Sequence, residues 1–410
     1  MPITYDASTR RFHLTDGETF SRVLAVMEEP GGNPGLQEIY LGAALPEAAV
    51  SCVPQGFPPS ASFDGYHQLA PYAYPTAGRG DFRPTACAAR EPDGSCCPVL
   101  AYAGHAIHAG KPLLPGLPAV YIEAKDEATT LEIYLRDAKT GLEVTLRYTV
   151  LEAFHAQACS VHFHNAGSET LLLERALSCA LNLHGEWELL HLHGAWSRER
   201  QPERLAIPHA TFTLRSNRGA SGHEHNPFLA LLSPTADERQ GEVWGVSLVW
   251  SGSFVMEVNK DARDHVRLVA GLDPCDWRLK PGEDFHTPET VLVRSDCGLN
   301  GMSQRFHALY RRRLCRGPWR DRIRPLLVNN WEATYFDFNE EKLLDIARTA
   351  AELGLELFVL DDGWFGKRNS DNCSLGDWTV NTEKLPGGLE GFAEKLHRLG
   401  LRFGLWLEPE

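Results

Sequence analysis

A change of hydrophobic period near residue 325 constrains this chain more than any other feature. Upstream, residues 130–137 (TLEIYLRD) alternate apolar and polar with period two. DAKTG (137–141) supplies a turn, and LEVTLRYTV alternates again through Val144, Leu146, Tyr148 and Val150. This order predicts a hairpin of half-buried antiparallel strands. CSVHFHN (159–165), TLLLERALS (170–178) and EVWGVSLVWSGSFVMEV (242–258) continue the pattern, with NAGSE and WSGS read as turns. Many such strands with little helix imply a large antiparallel β-supersandwich over residues 1–299. Residues 51–118, richer in Pro and Gly, read as loops. LNGMSQRFHALYRRRL (299–314) spaces Met302, Phe306, Leu309 and Tyr310 as a helix does, so residues 300–324 read as a linker helix that Gly317 and Pro318 break.

Beyond Pro325 the pattern becomes strand (PLLVNN), helix (NEEKLLDIARTAAELG), strand (ELFVLDD), helix (LEGFAEKLHRLG) and strand (LRFGLWLEPE). That succession means right-handed βαβ units and a parallel sheet. About 85 residues follow Pro325, whereas a closed (β/α)8 TIM barrel takes about 250. Residues 325–410 are therefore expected to be the first three βα units of an incomplete barrel, with the third strand's outer edge unpaired. The chain reads as the front part of a longer protein.

With 410 residues there is room for two or three domains, and 43% hydrophobic with 23% charged residues is ordinary globular composition. The net charge of -14 argues against binding a nucleic-acid backbone and suits a neutral substrate. No apolar run approaches the roughly 20 residues that span a bilayer, so no membrane partner is expected. The N-terminal MPITYDASTRRFHLTDG has no apolar core, so no signal peptide is expected either. The ten cysteines are scattered, with only Cys96 and Cys97 adjacent, which reads as a reduced cytoplasmic protein.

Polar residues follow each strand of the second part: Trp331-Glu332, Asp361-Asp362 and Glu408. Parallel α/β sheets and barrels carry their sites at that end. In FVLDDGWFG (358–366) two neighbouring carboxylates repel and are costly to bury unless something satisfies them. Past the strand's end, Gly363 lets the backbone turn so that both can face one ligand. Such a pair accepts hydrogen bonds from adjacent sugar hydroxyls or holds a hard cation; a solvated strand end is the bland alternative. Trp331, Trp364, Phe365, Trp378 and Trp406 lie at or near strand ends, and rings beside carboxylates make a sugar pocket. For any one tryptophan, core packing is the commoner fate. Among the 17 histidines, His162/His164, His191/His193 and His223/His225 could each share a strand face, but none has a third ligand at convincing spacing. No metal and no cofactor is expected. There is no GxSxG, P-loop or strand-to-helix GxGxxG, and GGNPG (31–35) reads as a turn.

NNWEATYFDF (329–338), LDDGWFGKRNSD (360–371), LGDWTVNTEKLPGGL (375–389) and GLWLEPE (404–410) resemble glycoside hydrolase family 36, the bacterial α-galactosidases. Upstream, YPTAGRGDFRP (74–84), HLHGAWSRER (191–200), SNRGASGHEHNPF (216–228) and PGEDFHTPE (281–289) resemble its β-sandwich. The resemblance implies a sandwich, a catalytic barrel and a C-terminal β-domain, and a retaining mechanism on terminal α-galactosides of the melibiose and raffinose type. It gives Asp361 and Asp362 the binding of galactose hydroxyls, and lines the pocket with Trp331 and Trp406. Many members are tetramers in which sandwich loops of a neighbour reach the active site, and Asp81, Arg83 and Trp196 match those loop motifs.

Retention needs two carboxyl groups about 5 to 5.5 Å apart. The resemblance places both on later barrel strands beyond Glu410, so no hydrolase activity is expected of these 410 residues alone. An α-N-acetylgalactosaminidase or galactosyl transferase on the same scaffold remains a same-class alternative. A non-catalytic sugar-binding or assembly module is the alternative from another class.

Overall fold

The computed structural model describes residues 2–29, 32–54 and 70–408. The loop reading of 51–118 therefore falls partly, through residues 55–69, outside the described residues, as do Gly31 of GGNPG and the last two residues of GLWLEPE. The chain divides into two compact units, residues 1–315 and 316–410.

The first unit is a β-sandwich with an extra layer. Its four opening strands, Ile3–Asp6, Arg11–Thr15, Ser21–Met27 and Gly35–Gly42, pair in sequence order as an antiparallel sheet. A ten-stranded and a six-stranded sheet follow. The expected hairpin is present: Thr129–Arg136 pairs with Leu142–Leu151, with Leu135 opposite Val144 and Glu132 opposite Arg147. Asp137 makes the turn by accepting from the Thr140 backbone N–H (3.2 Å) and hydroxyl (2.6 Å). Alternate residues Leu131, Ile133, Leu135, Val144 and Leu146 are buried in one cluster with Leu171, Leu173, Leu177 and Leu181 of the facing sheet.

NAGSE and WSGS do not close hairpins. Each hands the chain from the ten-stranded sheet (Ala156–Asn165, Val243–Val249) to the six-stranded one (Leu171–His184, Phe254–Lys260). Turn chemistry is local, but the strand's partner is chosen by distant residues. Ala101–Ala109 and Cys87–Arg90, inside the stretch read as loops, are also strands. AYAGHAIHA lacks the β-branched alternation that marks a strand, and pairing with Thr129–Arg136 overrides that weak propensity.

The helix expected at 300–324 spans Gly298–Arg313 and belongs to the first unit rather than linking two. Met302, Phe306 and Leu309 are buried against Val291, Val293 and Phe154. Gly245 permits this approach, since a Cβ there would lie 2.4 Å from the Met302 sulfur.

The second unit is a partial barrel: three parallel strands in the order Leu327–Asn329, Leu357–Leu360 and Arg402–Leu405. Its helices are the short Trp331–Thr334 and the longer Glu340–Glu352 and Gly388–Arg398; Asn339 caps Glu340–Glu352 by accepting from the Lys342 N–H at 3.0 Å. Leu343, Ala347, Phe358, Leu360, Phe392 and Leu396 form its core. Parallel register, with Asn329 beside Val359 and Val359 beside Gly404, brings the three strand ends to one edge.

Candidate functional site

The first strand ends in Asn329-Asn330, and both amides act on the end of the second. Asn330, fully buried, accepts from the Asp361 N–H at 2.8 Å and donates to the Thr334 hydroxyl at 2.9 Å. Asn329 donates to Asp361 Oδ2 and accepts from the Trp331 N–H at 2.7 Å. These bonds fix where the backbone leaves the second strand. Gly363 follows at φ 93°, beside the rings of Phe336 and Phe338, a position that a side chain would strain.

The two aspartates differ. Asp361 is half-buried, and each of its oxygens holds one protein donor: Asn329 Nδ2 on Oδ2, and the Asp362 N–H on Oδ1 at 2.8 Å. Asp362 is buried. Its Oδ1 accepts from the Gly363 N–H at 2.6 Å and from Arg368 Nε at 3.0 Å, while Oδ2 accepts from Arg368 Nη2 at 2.8 Å and shares Nε at 3.2 Å. The fork raises the Arg368 guanidinium's pKa above its ordinary value. Lys384 ties the same loops together, donating to the carbonyls of Gly363 (2.9 Å), Phe336 (3.0 Å) and Arg368 (3.2 Å). Burial holds its ammonium below the usual lysine range, with Asp362 partly offsetting.

Among the aromatics, Trp364 and Phe365 are buried in the core, whereas Trp331, Trp378 and Trp406 keep exposed surface. Trp406 is tied to the second strand by its N–H to the Leu360 carbonyl (2.9 Å), and its own carbonyl accepts from the Trp364 indole (3.0 Å). Trp331 meets Tyr335 and Phe336 edge to face at 5.2 and 5.0 Å. Tyr335 reverses the chain at φ 45° and ψ -128°, a conformation costly for a residue with a side chain. Trp331, Asp361-Asp362 and Trp406 thus follow three neighbouring strands at one edge of the sheet. Asn329, Asn330, Arg368 and Lys384 were not singled out from sequence. For Arg368 the signal was a basic residue six positions beyond Asp362, inside the same motif.

Asp81, Arg83 and Trp196 lie in the first unit. Trp196 is 83% exposed, in the turn between Glu188–Ala195 and Arg198–Ala206. Asp81 and Arg83, which match the loop motifs, hold each other. Asp81 is buried, accepts from Arg83 Nε at 2.9 Å and Nη2 at 3.0 Å, and pairs with Arg267 at 2.7 Å. Two cations satisfy that carboxylate, and Phe82, between Asp81 and Arg83 in the chain, is 83% exposed.

Residues 35–280 match the glycosyl hydrolase family 36 N-terminal domain. The chain belongs to glycosyl hydrolase family 36. Residues 284–410 of this family 36 chain match Melibiase. It is 48% identical to "Alpha-galactosidase AgaA" of Geobacillus stearothermophilus, over all of this chain and 57% of that protein. It is 41% identical to "Alpha-galactosidase Mel36A" of Lactobacillus acidophilus, with the same coverage. The crystal structure of GH36 α-galactosidase AgaB from G. stearothermophilus superposes with a TM-score of 0.92 at 48% identity, over all of this chain and 57% of that one. Variants of AgaA have been solved in complex with stachyose and with raffinose. The chain thus spans little more than half the length of these relatives.

Proposed function

We propose that this family 36 chain recognises the terminal galactose of α-galactosides as part of an α-galactosidase that works with retention. The observation that carries this reading is the open carboxylate of Asp361. One protein donor sits on each oxygen, so lone pairs remain for sugar hydroxyls, at a sheet edge shared with Trp331 and Trp406. Pyranose faces stack on such rings. The names of the relatives, and the stachyose and raffinose held by AgaA variants, support the substrate class.

Asp361 and Asp362 bind in this reading and do not cut. Cleavage with retention needs carboxyl groups about 5 to 5.5 Å apart on opposite sides of the bond, and these are chain neighbours with one of them engaged by Arg368. Titration with galactose, followed by tryptophan fluorescence, tests recognition; no saturable change would overturn it. Turnover of a chromogenic α-galactoside by the 410-residue chain alone would overturn the division between binding and cutting.

The reading extends to a homotetramer in a reducing cytoplasm. Trp196 and Phe82 offer exposed rings of the kind that interfaces bury. The ten thiols are free. Mass photometry of W196A tests the assembly, and an unchanged mass distribution would count against it.

A further inference from the structure

An ionised carboxylate offers about four lone-pair positions. Asp362 holds three donor hydrogens: the Gly363 N–H on Oδ1, Arg368 Nη2 on Oδ2, and Arg368 Nε shared between Oδ1 (3.0 Å) and Oδ2 (3.2 Å), so no more than one acceptor position is left, on Oδ2. On Asp361 two are occupied, one on each oxygen. The pair therefore presents two acceptor positions on Asp361 and at most one on Asp362, which fits neighbouring hydroxyls on one sugar.

Adjacent carboxylates repel, and left alone the buried one would turn towards solvent. Arg368 prevents this. Its fork neutralises only the buried member and sets the plane in which Oδ2 points. The guanidinium is itself fixed: it is buried, its Nη1 donates to the carbonyls of Asp371 (2.7 Å) and Cys373 (3.0 Å), and it lies 5.5 Å over the Phe336 ring. Lys384 anchors the Arg368 carbonyl from the other side.

We propose that Arg368 is a positioning residue for galactose recognition, acting through Asp362; this rests on the recognition reading above. It touches no sugar. It keeps one of two neighbouring carboxylates buried and aimed, while leaving the other free.

The test is a double-mutant cycle read by galactose affinity in the purified chain, using D362N, R368M and D362N/R368M, with R368K alongside. Each single variant is expected to weaken galactose on the order of tenfold, the range in which coupled residues interact. The double variant should bind within about twofold of D362N, since Arg368 has nothing to aim once Asp362 has lost its charge. R368M leaves a buried charge unpaired and risks misfolding. R368K keeps the charge paired without the fork, and should fold while still losing affinity. Losses that multiply in the double variant, or R368K binding as tightly as the unmodified protein, would overturn the proposal. If the unmodified protein shows no galactose response, the recognition reading falls and this role falls with it. A response with multiplying losses removes only the role of Arg368.

Discussion

Each unit of this protein buries ion pairs, and a pair taken from one has different surroundings from a pair taken from the other. In the sandwich, Arg22 and Glu38 meet at 2.6 Å with both side chains fully buried. Arg22 also donates to Gln157 (3.0 Å) and to the Ala180 carbonyl (2.9 Å), and lies 4.6 Å over the Tyr148 ring. Glu38 accepts from Asn182 at 3.2 Å. That network joins three sheets, and neither of its charged side chains reaches solvent. Burial pushes the Glu38 carboxyl above its ordinary pKa, and Arg22 opposes the shift. In the parallel unit, Arg368 and Asp362 are nearly as buried, but they stand at a strand end beside a carboxylate with lone pairs to spare. A buried pair closed on every side serves the fold; one beside an open acceptor serves a ligand.

Four perturbations would break or sharpen that contrast. The largest is E38Q, which strands the Arg22 charge among three sheets. A loss of about 3–5 kcal/mol in urea unfolding is expected, with galactose affinity of the folded fraction unchanged. A loss under 1 kcal/mol would remove the structural role. Next, D361N should weaken galactose by roughly 100-fold, the loss of charged hydrogen bonds worth about 1.5–3 kcal/mol each, while leaving the unfolding midpoint nearly unmoved. A destabilised but fully binding D361N would reverse the assignment. W406A should cost about tenfold in affinity, as an aromatic contact worth about 0.5–1.5 kcal/mol does; an unchanged constant would place that ring in the core.

The smallest effect belongs to the outer face of the ten-stranded sheet, where His162 and His164 share Asp284 at 2.7 and 2.9 Å and His286 stacks on His162 at 4.4 Å. Burial pushes His286 down to about 4, helped by His162 and Arg147 and opposed by Asp284. The unfolded chain therefore binds the extra proton first, and stability falls as pH drops from about 6.5 towards 4. H286Q should flatten that slope between pH 7 and 5 by less than about 1 kcal/mol, because the ring is partly solvated. An unaltered slope would assign the acid sensitivity elsewhere.

Much of the architecture was legible because it rests on local pattern. The period-two runs at 130–150 became the hairpin in the register that the alternation required, and the two expected helices after Pro325 lie within two residues of their bounds, though the short helix Trp331–Thr334 was not among those expected. What escaped depended on distant residues. The strand Ala101–Ala109 exists because Thr129–Arg136 is there to pair with it, and NAGSE and WSGS cross between sheets that no local signal distinguishes. The helix Gly298–Arg313 shows an apolar face in the sequence, but which surface receives it was decided by Gly245 and its neighbours.

The site divides in the same way. Sequence alone determined that two carboxylates and several tryptophans would stand at the ends of parallel strands, because strand period, turn glycines and βαβ order fix which end is which. It left Asp361 and Asp362 equivalent. Only the tertiary structure separated them, since Arg368 reaches back from its loop and closes on one carboxylate and not on the other. Hydrogen-bond saturation is a property of positions in space, and two adjacent letters in a sequence carry no record of it.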